Sequence, residues 1–330
     1  MEPTTYQRFW NHSIWLPISY TWDDVPTVPS QLLTAVYLAP FVFCIRILSE
    51  AFIGLGIGKL LGYQRKPYLS SAYHHITGGF LKCSRSKKIL ETFWRFISYT
   101  FLFAFGVYAL HDKSWLYDVR QGFISYPKHE VDTIIYWYYM IECSFYISLL
   151  AASPFDAQRS DAWQMFVHHL ITIGLIVFSW TVNFVRVGTL VLISHDVSDI
   201  FLEACKLVRY TKKYLELSNA LFIVFFISWI ISRLIYFPVF VVYTGVAEGP
   251  ALIQPDYPVW NFTVKPYAPR VILMLLIGLM LLHIFWTVLI FRIVVKALKE
   301  GEASDIRSDS EESDDEDDSN GNRRKKLKKT

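Results

Sequence analysis

The sequence predicts an all-α fold, a polytopic membrane helical bundle of about seven transmembrane helices. Of its 330 residues 53% are hydrophobic and only 18% charged, and the mean hydropathy of +0.30 is high for a soluble domain of ordinary composition. The apolar residues also gather into runs near the roughly 20 residues that a hydrocarbon core demands. These runs are Leu32 to Ile57, Ile89 to Leu110, Val131 to Ala152, Met165 to Val182, Val187 to Val208, Leu217 to Tyr243 and Val271 to Val295. Seven crossings place the two chain ends on opposite sides of the membrane.

Residues 1–31 are polar and aromatic, without the long apolar core of a cleavable signal peptide, so the first span, 32–58, is the expected targeting element. Inside that span Arg46 and Glu50 stand four apart, the spacing of a helical ion pair. Residues 59–88 form a short connecting loop, and 89–297 hold six further spans. The fourth and fifth spans are short or polar, joined by a tight turn around Asn183 to Arg186. The tail, 298–330, is disordered by composition: Ser304 to Ser319 is a run of Asp, Glu and Ser, and Arg323 to Lys329 is nearly all basic. Ser308 and Ser313 each precede an acid by three residues, which suits an acidophilic kinase. Lys326 and Lys328, fifth and third from the carboxyl terminus, have the spacing of a dilysine-type retrieval signal, an address and not an anchor.

Lysine and arginine counts set the orientation. Loop 59–88 holds Lys59, Arg65, Lys66, Lys82, Arg85, Lys87 and Lys88, and the end of the fifth span into the next loop holds Lys206, Arg209, Lys212 and Lys213. Both belong in the cytosol, which makes 1–31 lumenal and the tail cytosolic. Two sequons, Asn11-His-Ser and Asn261-Phe-Thr, then fall on the lumenal side, as glycosylation requires. The four cysteines form no CxxC pair, so no disulfide framework or thiolate zinc site is expected. Short basic stretches without a recognition-helix pattern give no reason to expect nucleic-acid binding.

Ionisable groups in hydrocarbon are costly, so a polar cluster at matched depth on two spans points to a site. His168 and His169 lie one turn inside the fourth span, within about 6 Å of its cytosolic end at 1.5 Å per residue. The fifth span runs back with His195, Asp196, Asp199 and Glu203 on one broad stripe. Adjacent histidines point about 100° apart, so one is the expected reactive residue and the other an orienter or an interhelical hydrogen-bond donor. An imidazole held by a buried carboxylate, Asp196 or Asp199, is a good general base or nucleophile, and acyl transfer fits this set. Two other readings compete with it: interhelical hydrogen bonds that merely glue the bundle, and a metal held by three nitrogens and two carboxylates. Against a metal, only His168, His169 and His195 converge; His111 and His129 lie on the other side, and His74-His75 is a lone loop pair. Transport is disfavoured for lack of repeated or broken spans.

His168-His169-Leu-Ile-Thr172, Ser179, Asn183, Arg186-Val-Gly188-Thr189, His195-Asp196-Val-Ser198-Asp199 and Leu202-Glu203 resemble, almost position for position, the Lag1 motif of the ceramide synthase family. Trp94-Arg95, Tyr126-Pro127, Phe145-Tyr146 and Met165-Phe-Val-His-His are similar to the TLC domain that houses it, as is the opening with Trp15-Leu16-Pro17 and Trp22. The resemblance runs to about residue 297 and implies that 89–297 is a TLC-like six-helix catalytic domain. It implies N-acylation of a sphingoid base by a fatty acyl-CoA in the endoplasmic reticulum membrane, with acyl-CoA as co-substrate, no bound cofactor and no metal. Carried over as essential are His168, His169, Asp196 and Asp199, with His195, Glu203, Ser179, Asn183 and Arg186 supporting. Lys82, Arg85, Lys87, Lys88, Lys206 and Arg209 are candidates for the CoA phosphates, whereas Arg186, near the lumenal turn, reads as structural. Loop 59–88 is too short for the homeobox-like domain of many vertebrate relatives, so the chain resembles the compact form. Membrane lipids and a homo- or hetero-dimer with related synthases are the implied partners. In the family the lumenal segment before the last span, here Thr244 to Pro269, helps select acyl length. The alternatives are a non-catalytic TLC-type protein for lipid sensing or transport, and a metal-dependent membrane lipid hydroxylase.

Overall fold

Long apolar runs with few interior breakers become long helices. The computed structural model describes residues 4–60, 67–81, 84–157, 159–211, 213–255 and 257–300; Lys82, Ser308, Ser313, Lys326 and Lys328 lie outside the described residues. Helix α1 covers Pro29–Lys59, opening on a proline whose missing N–H costs nothing in a first turn. Helix α2, Tyr68–Ile76, is a short element within what the sequence reads as a loop. Helix α3, Arg85–Leu110, is capped by the Ser84 hydroxyl, which accepts from the Lys87 N–H at 3.1 Å. Then follow α4 (Thr133–Ala152), α5 (Ala162–Thr181), α6 (Val185–Tyr210), α7 (Leu215–Ile253) and α8 (Ala268–Glu300).

Six of these helices, α1, α3, α4, α5, α7 and α8, are long and apolar enough to cross a membrane. The expected count was about seven. The difference is α6, as long as α3 at 26 residues but carrying Arg186, His195, Asp196, Asp199, Glu203, Lys206 and Arg209. Its polar groups are tolerated because they point inward: His195, Asp196, Ser198 and Glu203 are buried.

The α5–α6 turn is built around Asn183, whose backbone adopts the left-handed conformation at φ 58°, which Asn tolerates better than most residues. Its side-chain amide donates to the carbonyls of Pro127 (2.6 Å) and His129 (2.9 Å), tying the turn to the α3–α4 connection. Helix α7 widens into π-helical turns over Ile230–Val242 and Thr244–Glu248, with Pro238 inside the first, and such widened turns gather at functional sites. The helix then continues to Ile253, so much of the expected Thr244 to Pro269 connection is helical and the loop is shorter.

One end of the bundle is closed by the N-terminal segment, the α3–α4 connection and the α7–α8 loop. There the Tyr267 N–H donates to the Ile14 carbonyl (2.7 Å), the Trp180 indole to the Val28 carbonyl (3.2 Å), and Lys128 pairs with Asp24 (3.0 Å). The opposite end is held by charge. Arg46 meets Glu50 at 2.9 Å, the pairing its spacing predicts, and also Asp156 at 2.6 Å, while His75 of α2 meets Glu50 at 2.9 Å. Helix α4 is the most enclosed of the six apolar helices.

Candidate active site

Antiparallel α5 and α6 bring the predicted groups to one level, but their partners differ from expectation. His168 and His169 are buried, their ring centroids 5.8 Å apart, and both rings lie against Tyr146 of α4, at 6.4 and 6.2 Å. His168 turns toward α8 and meets Trp286 edge-on at 5.4 Å. For His169 the cation that acts electrostatically is Arg95 of α3. The roughly 100° separation of adjacent helical positions thus gives the two imidazoles different neighbourhoods.

Neither imidazole is held by Asp196 or Asp199. The Nδ1 atoms of both histidines have no hydrogen-bond partner among the described residues, and Asp199 is claimed by another group. Arg233 of α7, which is buried, donates to Asp199 Oδ2 at 2.9 Å, to the His195 carbonyl at 2.8 Å and to Ser198 Oγ at 3.2 Å. A guanidinium in that setting must be paired, and Asp199 is the carboxylate it reaches. Asp196 faces the other way, against Glu142 of α4, with no donor on either of its oxygens among the described residues. The single polar stripe expected on α6 therefore divides in two. His195 accepts or donates at His283 of α8, Nε2 to Nε2 3.2 Å, and its Nδ1 is 2.6 Å from the Val191 carbonyl. Glu203 pairs with Lys206 (2.8 Å) and Arg95 (3.5 Å).

Sequence reasoning missed Glu142, Arg233 and His283. Each is an ionisable residue in the middle of an apolar run, the kind of signal that singled out His168, and His283 adds a fourth imidazole to the group. Among the described residues, no three His, Cys, Asp or Glu side chains are placed to hold one metal ion.

From His168 an apolar cavity runs along the bundle. On α5 it is lined by His168, Thr172, Leu175, Ile176 and Ser179, one face of the helix, and α4, α6, α7 and α8 with the two connections at the far end supply the other walls. His168, His195 and Tyr146 mark one end, while Phe123, Phe184 and Tyr257 mark the other. Ser179 Oγ is bound to Tyr139 Oη at 2.6 Å, which fixes a wall between these ends.

The basic candidates divide as well. Lys87 is buried, with its ammonium on the Phe155 carbonyl and 3.6 Å from Glu91, so it is engaged inside the protein and not offered to a phosphate. Lys206 is engaged with Glu203. Arg186 lies at the other end, its guanidinium 4.7 Å over the Trp115 ring and donating to the Gln121 carbonyl at 3.2 Å. Asn11 and Asn261 are exposed, each accepting from a backbone N–H two residues on, Ser13 at 3.0 Å and Thr263 at 3.1 Å.

Residues 88–292 match the family model described as the TLC domain. The chain is 51% identical over 311 residues to ceramide synthase hyl-1 of Caenorhabditis elegans, an alignment that covers 92% of this chain and 84% of that protein. Ceramide synthase hyl-2 of the same organism is 35% identical over 316 residues, covering 92% of this chain and 94% of the relative. Human ceramide synthase 4 is 33% identical over 350 residues, covering 92% and 86%.

Proposed function

This chain belongs to the ceramide synthase family, and from that premise we propose that it transfers a fatty acyl group from acyl-CoA to the amine of a sphingoid base such as sphinganine. The observation that carries the mechanism is the apolar cavity with an imidazole at its end: a place for an acyl chain whose carbonyl comes to rest at His168. Two routes balance. In one, a His168 ring nitrogen attacks the thioester carbonyl, the C–S bond breaks and CoA departs as the thiol; the amine then attacks the acyl-imidazole and the bond to the ring breaks. In the other, the amine attacks the thioester carbonyl directly while the imidazole takes its proton, and the C–S bond breaks as that proton passes to the sulfur, so that CoA departs as the thiol. His169 serves as orienter beside it. Asp199, held by Arg233, and Asp196, against Glu142, stabilise the positive charge that develops on the amine or the ring. Lys82, Arg85, Lys88 and Arg209 supply positive charge for the CoA phosphates.

In this reading α6 is a seventh crossing, since it leads from the end closed by the N-terminal segment to the end held by Arg46. The N-terminus is lumenal and the tail cytosolic, in the endoplasmic reticulum membrane. Two observations support that orientation: the Lys and Arg bias of the loops, and the placement of both sequons, exposed, on segments that meet at one end of the bundle. Asn11 and Asn261 then carry glycans, Ser308 and Ser313 take phosphate, Lys326 and Lys328 act in retrieval, and the chain pairs with itself or a related synthase.

The test is purified protein given sphinganine and a graded series of acyl-CoAs, beside His168→Ala and His169→Ala. An N-acyl product from the intact protein, lost in both variants, is the expected result; an intact protein that makes no amide from any acyl-CoA overturns the reading. Incubation with acyl-CoA alone, followed by intact mass measurement, separates the two routes by whether a covalent acyl-enzyme accumulates.

A further inference from the structure

The far end of the cavity is closed in part by a residue outside the histidine–aspartate motif and outside the α7–α8 loop. Phe123 follows the helical turn Val119–Gly122 in the α3–α4 connection and is buried. That turn is pressed against α6: a Cβ added at Gly122 would come within 3.1 Å of Val187. The Phe123 ring in turn occupies the space where a Cβ of Gly249 would be, 2.8 and 2.9 Å from it, so the glycine permits the ring to seat against α7. Phe184, at the start of α6, meets the same ring at 6.4 Å, tilted by 65°. Phe123 is thus clamped between α6 and α7 with part of its surface facing the cavity.

One turn before Gly249 lies Gly245, also in the cavity wall. A Cβ there would meet only Phe123, at an ordinary 3.8 Å, so a larger side chain at this position fits at its base and fills cavity space beyond.

We propose that Phe123 is the floor that limits the length of acyl chain this protein accepts, and that Gly245 beside it keeps the last part of the channel open. This rests on the cavity holding the acyl chain, as proposed above. From His168 to Ser179 is about 16 Å along α5, room for about 12 methylenes at about 1.3 Å of advance each, from a 1.52 Å C–C bond. The residues at that level decide whether further carbons fit. A leucine side chain reaches about two such steps beyond its Cβ, so Gly245→Leu shortens the preferred chain by about two carbons and Phe123→Ala lengthens it by at least as much. At about 0.8 kcal/mol per buried methylene, two carbons correspond to a roughly tenfold change in the product ratio.

The experiment offers the purified full chain an equimolar mixture of saturated acyl-CoAs with sphinganine and reads the amide products by mass. Phe123→Ala and Phe123→Leu are expected to raise the ratio of longer to shorter amides; Gly245→Leu is expected to lower it, and Gly245→Ala to lower it less. Leu170→Ala, on an exposed position of α5, keeps the wild-type ratio. Should Phe123→Ala or Gly245→Leu fail to fold, as read by thermal melting in detergent, the milder Phe123→Leu and Gly245→Ala decide. Folded, active variants with the wild-type profile overturn this inference and leave the acyltransferase reading standing. A wild-type protein that makes no amide at all overturns both.

Discussion

Replacement of Arg233 by methionine tests the internal electrostatics most sharply. The side chain is 3% exposed, and its guanidinium donates to Asp199, the His195 carbonyl and Ser198, with His283 Nε2 at 3.3 Å and the Trp229 ring centroid at 5.0 Å. Methionine keeps the length and the apolar stem but removes the charge and every donor. Taking one partner from a buried ion pair costs roughly 3–5 kcal/mol, because the other charge is left uncompensated. The Asp199 side chain retains 18% of its exposure, which relieves part of that penalty, so about 3 kcal/mol is expected. Asp199→Asn in the wild-type background strands the cation instead and should also destabilise. The double variant leaves neither charge alone, so the two losses should fall short of adding by more than about 0.5 and up to about 3 kcal/mol, the range for directly coupled residues. Unfolding of the purified protein in mixed micelles by a denaturing detergent gives all three values. Losses that add to within about 0.5 kcal/mol would refute the idea that this pair organises the polar core. Arg233→Lys discriminates further, since an ammonium retains the charge without the planar fork that reaches Asp199, Ser198 and a carbonyl together.

Gly188→Ala places a Cβ 1.8 Å from Tyr139 Oη and 2.9 Å from its ring; overpacking of this kind costs about 1–3 kcal/mol, and Tyr139→Phe in the same chain should restore part of it, read as melting temperature. Burial, with the nearby Arg186 guanidinium adding to it, lowers the His129 imidazole from an ordinary 6.5 to about 3. The folded state holds it neutral, so stability is intact above the unfolded value and is lost as pH falls below about 6.5 toward 3. That loss amounts to about 2 kcal/mol between pH 7 and 5 by linkage. His129→Phe should flatten the stability-against-pH curve in this window, and an unchanged slope would remove His129 from the account. Arg46→Met leaves Glu50 and Asp156 without their shared cation, and hydrogen exchange should rise in α2 and around Asp156 while α4 stays protected.

What could be read from the sequence followed the hydrocarbon's demands. Six of the seven apolar runs became apolar helices because a continuous run of about 20 such residues has few other ways to satisfy its backbone. The seventh, α6, showed where composition stops being a guide: a helix walled by other helices can carry His195, Asp196, Asp199 and Glu203 inward without meeting lipid. The α5–α6 turn was legible in Asn183, and the Arg46–Glu50 pair in its spacing, because both are local. The partners of the acids were not, since Asp199 meets Arg233 across 34 residues and His195 meets His283 across 88. No periodicity within α6 tells which neighbouring helix faces it. A stricter use of one rule would nonetheless have found those partners. An ionisable residue deep in an apolar span needs a mate, and Glu142, Arg233 and His283 each stand in the middle of one. Three acids and three imidazoles on α5 and α6 require compensating groups from the helices around them, so counting unmatched charges span by span bounds the membership of a polar core even when its pairings stay hidden. The cavity floor escaped that logic, because Phe123 is apolar and distant in sequence, and only the packing of a ring against Gly249 reveals where the channel ends.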